Sequence, residues 1–155
     1  MQPISKFLTL DEACKSTTAI RLDIANVPDE SAVLNMQALC YVVYDVCCKQ
    51  FKTKLPITSF FRSVKLNKKI GGSATSQHCK GQAVDIDCDL LPTKKITNAD
   101  VFNYIRMNCK FDQLIWEFGN KTQPDWVHVS YSLTNNRGQV LIAVKENNKT
   151  TYKPY

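Results

Sequence analysis

The sequence predicts an α+β domain. Apolar residues recur at three- and four-residue steps in its first third, and strand-like alternation fills its last third. Helices first and antiparallel strands later give this class, and a length of 155 residues is about that of one domain. The expected architecture is an antiparallel sheet with helices packed on one side. Residues 1–155 read as a single domain, with no repeat, low-complexity tract or dividing linker.

The elements follow in order. Thr9-Leu10-Asp11-Glu12 has the spacing of a capping box that opens a short helix. After Val27-Pro28-Asp29, the residues Val33, Met36, Leu39, Cys40, Val43, Val46 and Cys47 share one face of a second helix, a core face with no chemistry implied. Leu55 to Phe61 is β-rich with Pro56 near its start, which suits a strand entering the sheet. Residues 63–82 lose periodicity and become polar and glycine-containing, an irregular segment of the length that usually carries function.

Val84 to Cys88 alternates as a strand, with Asp85 and Asp87 on one face and Val84, Ile86 and Cys88 on the other. Thr97-Asn98-Ala99-Asp100 starts a further helix with Val101, Tyr104 and Ile105 on one face. Phe111 to Phe118, Trp126 to Tyr131 and Gln139 to Lys145 read as the closing strands, the last two joined through Asn135-Asn136-Arg137-Gly138.

Composition narrows the function classes. The net charge of +6 suits an anionic surface, but no long Lys/Arg block or aromatic-interleaved basic stripe appears, so no nucleic-acid partner is expected. The most apolar stretch, Leu34 to Cys48, is interrupted by Asn35, Gln37 and Asp45, so no membrane span is expected. Met1-Gln2-Pro3-Ile4-Ser5-Lys6 lacks the features of a secretory signal, and synthesis in a cytoplasm is the expectation. Seven cysteines, Cys47 and Cys48 adjacent, cannot all pair with one another and read as reduced, mostly buried thiols.

The only two histidines, His78 and His128, sit in unusual company. Three of the five glycines, Gly71, Gly72 and Gly81, fall near His78, where the backbone must turn sharply or approach something closely. Two imidazoles and one carboxylate leave a fourth zinc position open, the arrangement of catalytic rather than structural zinc. Asp85 is the obvious carboxylate. His128 shares a strand face with Trp126 and Ser130 and meets Asp85 if their strands are neighbours. Cys79 and Cys88 flank the set, but Cys88 faces away from Asp85, so buried or partly exposed thiols are expected in place of a closed structural site. Asp87 and Asp89 are expected around the site or in solvent, and Trp116 and Trp126 in the core or as cleft walls.

The string Ser76-x-His78-x-x-Gly81-x-Ala83-x-Asp85, followed by Trp126-Val127-His128-Val129, resembles the zinc D-alanyl-D-alanine peptidases. That group includes cell-wall carboxypeptidases and phage endolysins and shares its fold with the hedgehog signalling domain. Ile57 to Ser63, Leu66-Asn67, Gly71-Gly72-Ser73, Phe111 to Glu117 and Phe7 to Glu12 are similar to segments of its small carboxypeptidase branch, so the likeness covers nearly all of residues 7–131. Phe60-Phe61 stands where the family usually has a small Gly-Tyr, a departure that bears on the shape of the substrate pocket.

The resemblance implies a hedgehog/DD-peptidase-like fold with a single zinc cleft, and in a chain this short no separate cell-wall-binding domain is expected. It implies Zn2+ held by His78, Asp85 and His128, with Glu117 as general base. Asp125 competes for that role, because other branches place the base three residues before the last histidine. Arg62 and Ser76 are implied to hold the substrate's terminal carboxylate or polarise the scissile carbonyl. Zinc brings the pKa of water towards about 7, and a nearby carboxylate takes the proton as the oxygen attacks a peptide carbonyl.

The expected substrate is the peptidoglycan stem peptide, cut by carboxypeptidase or endopeptidase action. The expected setting is a monomer that reaches the wall as a phage lysis enzyme or a virion-associated protein. The alternative is a zinc-containing virion, structural or binding module of the same fold without hydrolysis. Glu117 argues for the enzyme.

Overall fold

The computed structural model describes residues 2–93 and 95–155, so Met1 and Lys94 lie outside the described residues. Helix α1 spans Leu10–Cys14 and opens on the expected capping box: the Thr9 hydroxyl accepts from the Glu12 amide while the Glu12 carboxylate accepts from the Thr9 amide. A short helix not read from the sequence, α2, covers Thr17–Arg21 under a Ser16 cap.

Helix α3, Glu30–Gln50, is continuous but contains a π-helical stretch, Cys40–Tyr44. Its fully buried residues include Met36, Cys40, Tyr44 and Cys48, each four apart. Four residues of α-helix overshoot a turn by about 40°, so a row of fours drifts around the axis unless a wider π turn takes up the excess. The extra residue rotates the buried face. Tyr44, Asp45 and Cys48 enter the core, while the expected core residues Val33 and Val46 are only half-buried. By length and composition α3 would suffice to cross a membrane, contrary to the sequence expectation, yet half of that stretch is buried against the rest of this fold.

Strand β1 is shorter than expected, Ile57–Ser59. The segment 63–82 is more ordered than expected: the Ser63 hydroxyl caps helix α4, Val64–Lys69, and a 3-10 turn covers Gln77–Lys80. Strand β2 is Ala83–Ile86, after which Asp87 caps a second 3-10 turn, Cys88–Leu90. Helix α5, Asn98–Asn108, starts at the Thr97 capping box and buries Val101, Phe102 and Ile105.

Strands β3 Gln113–Glu117, β4 Trp126–Ser130, β5 Gln139–Glu146 and β6 Lys149–Pro154 complete one sheet with the order β1-β2-β4-β3-β5-β6. The sheet is mixed and not purely antiparallel, because β5 runs parallel to β3. The 131–138 connection is therefore not the hairpin the turn residues suggested. Both edges of β4 are taken, by β2 and β3, so the chain crosses to the free edge of β3. β6 then returns antiparallel to β5 through Asn147 and Asn148, whose φ of 49° and 60° match the left-handed geometry of a two-residue hairpin turn.

One face of the sheet, with Val84, Ile86, Leu114, Trp116, Val127 and Val129, forms the main core with α3 and α5. The alternate residues, including Asp85, Ile115, Glu117 and His128, point to the other face. That face holds the site.

Candidate active site

Alternation on β2 and β4 sends Asp85 and His128 to the same side, and the antiparallel register sets them directly opposite one another. His128 Nδ1 lies 2.8 Å from Asp85 Oδ1. His78 reaches the same point from the 3-10 turn that precedes β2. Gly81 ends that turn at φ +66°, and a Cβ there would come within 2.3 Å of the Ala32 carbonyl on α3, so glycine alone fits.

The His78 ring is fixed by its 2.7 Å hydrogen bond to the Phe60 carbonyl. A carbonyl oxygen only accepts, so Nδ1 carries a proton, and in the neutral ring Nε2 then has a lone pair. Nε2 is buried, has no hydrogen-bond partner, and stands 3.3 Å from Asp85 Oδ2. Burial lowers the His78 pKa against the opposing pull of Asp85. Burial acts to raise Asp85, but the His78 and His128 rings outweigh it and hold the carboxyl well below the usual range.

A lone pair and a carboxylate oxygen facing each other in a buried site are a donor pair that a cation would join. Donor atoms of His78, Asp85 and His128 lie within 4.8 Å of one another, and two nitrogens with one oxygen suit zinc. Among the described residues these three form the group that could hold a metal ion. Neither Cys79 nor Cys88 belongs to it, and Cys88 is buried in the main core.

The six residues His78, Asp85, His128, Glu117, Arg62 and Ser76 line one cleft of about 710 Å³. Glu117 ends β3, pairs with Trp126, and is diagonal to His128 across the β3–β4 ladder, within side-chain reach. It is only 6% exposed, and burial pushes its pKa up to about 7, with His128 and Arg62 pulling down and Asp85 pushing up.

Asp125 is not brought to the cleft. It lies three residues from His128, out of phase with the cleft-facing Trp126 and His128, and is exposed in a separate groove beside Phe118 and Lys121. Its backbone amide donates to the Glu117 carbonyl at 2.9 Å.

Arg62 places Nη2 3.7 Å from Asp85 Oδ2 and keeps a buried Nε with no hydrogen-bond partner among the described residues. Its backbone is clamped on both sides. The Arg62 amide donates to the His78 carbonyl at 3.2 Å, while Asn26 donates to the Phe61 carbonyl and accepts from the Ser63 amide. Ser76 starts the turn that carries His78, and its hydroxyl makes no capping bond there. Asp87 and Asp89 stay outside the cleft, as expected. Trp116 lies in the main core, and Trp126 lines the cleft.

Three contributors were not read from the sequence. Asn26 carried no motif. Asp112 is buried and ties Gln77, the neighbour of His78, to Arg137, accepting from Gln77 Nε2 at 2.9 Å and from Arg137 Nε at 2.8 Å. Tyr152 on β6 also lines the cleft. The Asn147-Asn148 pair followed by alternating residues was the available signal for its strand.

A family model described as Peptidase M15 matches residues 6–130. Comparison with curated proteins gives no match.

Proposed function

The chain belongs to the peptidase M15 family, which is zinc-dependent, and from that premise we propose that it hydrolyses a peptide bond in the peptidoglycan stem peptide, as a D-Ala-D-Ala carboxypeptidase or an endopeptidase. The observation that carries this reading is the buried, partnerless Nε2 of His78 facing Asp85 and His128, with Glu117 in the same cleft.

His78, Asp85 and His128 are the residues that hold zinc. When bound, zinc supplies a Lewis acid and a water whose pKa falls towards about 7. Glu117 is the group that takes a proton from the attacking water and delivers it to the leaving amine. A carboxyl with a pKa near the working pH serves in both directions. Arg62 offers a planar fork, with an Nε that has no protein partner, to a substrate carboxylate, and Ser76 adds a short donor. A non-catalytic zinc module of the same fold would have no use for a buried carboxyl beside the ligands, and this favours the enzyme.

The test is metal content together with a muropeptide digest. About one zinc per chain, stem-peptide cleavage abolished by a chelator, and recovery with zinc are expected. Intact muropeptides from several wall chemotypes after exposure to the zinc-loaded protein would overturn the reading.

A further inference from the structure

The β5–β6 hairpin lies beyond the residues matched by the family model, yet it walls the cleft through Leu141, Thr150 and Tyr152. Glu117 pairs with Ala143 on β5, and Ala143 pairs with Tyr152 on β6. Paired residues point to the same face of a sheet, so these three form one row on the cleft side. Ala143, with its small side chain, is the residue between Glu117 and Tyr152 in that row.

Tyr152 is 52% exposed, so a ligand can reach it. Burial raises the pKa of its hydroxyl, Glu117 and Asp85 raise it further, and Arg62 opposes them. The phenol is therefore within electrostatic reach of all three and remains a hydrogen-bond donor at neutral pH.

The strand order gives the cleft two flanks. Arg62 follows β1 at one edge of the sheet, Tyr152 sits on β6 at the other, and the metal-binding set lies on the β2–β4 side between them. From β2 to β6 is four strand spacings, roughly 19 Å, about the reach of five to six extended residues.

We infer that the β5–β6 hairpin is a second substrate subsite, opposite Arg62, which binds an extended peptide segment through a hydrogen bond donated by the Tyr152 hydroxyl. This rests on the peptidase reading. With a substrate carboxylate at Arg62, the hairpin takes the segment on the amino side of the bond to be cut. Tyr152 thus sets how much peptide the cleft requires.

The test uses the full-length, zinc-loaded chain and a synthetic stem pentapeptide ending in D-Ala-D-Ala. Calorimetry compares Glu117→Gln, which should not consume the peptide, with the double variant Glu117→Gln/Tyr152→Phe. Loss of one neutral hydrogen bond is expected to weaken binding about 3- to 10-fold with zinc content unchanged. Equal affinities, no measurable binding by Glu117→Gln, or loss of zinc from the double variant would each overturn the inference. Turnover by the wild-type chain is read separately. Binding without cleavage of this peptide leaves the affinity ratio to decide the subsite, and the peptidase reading falls only if the muropeptide digest is negative as well, whereas cleavage with an unchanged ratio overturns the subsite alone.

Discussion

Asp85 and Glu117 lie on the same face of one sheet, a single strand apart, and the protein drives them in opposite directions. Asp85 on β2 is met by His78, His128 and Arg62, and these neighbours keep it ionised despite burial. Glu117 on β3 has no such partners within hydrogen-bonding distance among the described residues, so burial dominates and its pKa rises to about 7. The difference lies in the strands beside them. β2 is flanked by His128 on β4 and preceded by the His78 turn, whereas β3 is flanked on its far side by β5, which offers Leu141 and Ala143. Carboxyls whose surroundings separate their pKa values are suited to different work: a permanent anion serves as a ligand, and one that titrates near neutrality serves as acid and base.

The sharpest way to break this division is to neutralise each carboxyl in turn. Glu117→Gln is expected to lower stem-peptide turnover by about 10²- to 10⁴-fold with zinc retained. Asp85→Asn is expected to lose zinc affinity by more than about 100-fold, since even groups that only support a ligand cost 10- to 100-fold. Metal content and turnover measured on both variants should give this crossed pattern. Zinc lost from Glu117→Gln, or turnover unchanged by it, would remove the distinction. Asp125→Asn is the control, with turnover within about twofold of wild type because that side chain lies outside the cleft.

How much of this could be read from the residues follows from the range of each interaction. The convergence of His78, Asp85 and His128 could be read because alternation fixes the faces of Asp85 and His128, and scarcity singles out both histidines. That Glu117 and not Asp125 lines the cleft was also partly there, since counting back three from His128 puts Asp125 on the opposite phase. The crossing of β5 to β3 could not be read, because the signals at Asn135 to Gly138 are local while the choice of edge depends on β2 already occupying β4. The π-helical stretch in α3 escaped for a related reason: a regular period assumes no extra residue. Asn26 and Asp112 act through contacts 35 to 37 and 25 to 35 residues away in the chain, and no spacing rule reaches that far.

A second prediction turns the contrast into a pH dependence. Glu117 has a folded pKa above the ordinary glutamate value of 4.5, so between about 4.5 and 7 the folded zinc-free protein holds a proton that the unfolded chain releases. Stability from this group is full below about 4.5 and is lost as pH rises towards 7, by up to about 3 kcal/mol. Denaturant melts of the zinc-free wild type and Glu117→Gln should diverge across that window, the wild type weakening relative to the variant. Parallel curves would mean that Glu117 is already ionised in the folded state. In the zinc-loaded enzyme the cation favours the carboxylate, so kcat/KM should fall with acid at or below about pH 7.

Asp112 supplies the third case, a buried carboxyl with a cationic partner outside the metal-binding set. The Arg137 side chain holds its pKa down at about 2 against the opposing effect of burial, with the Arg137 amide and Gln77 assisting. Because the folded pKa is depressed, its contribution is present above about 3.8 and is lost as pH falls through about 2. Arg137 is half-exposed, so solvent screening reduces the contribution to about 1 kcal/mol. Asp112→Asn should therefore lower the melting temperature by about 2–4 °C at neutral pH, with the deficit shrinking as pH falls from about 4 towards 2. A deficit independent of pH over that range would mean that Asp112 acts by shape and hydrogen bonding alone. Its bond to Gln77 links the same charge to the turn that presents His78, so zinc affinity measured on Asp112→Asn separates a carboxyl that merely stabilises the sheet from one that also positions a ligand.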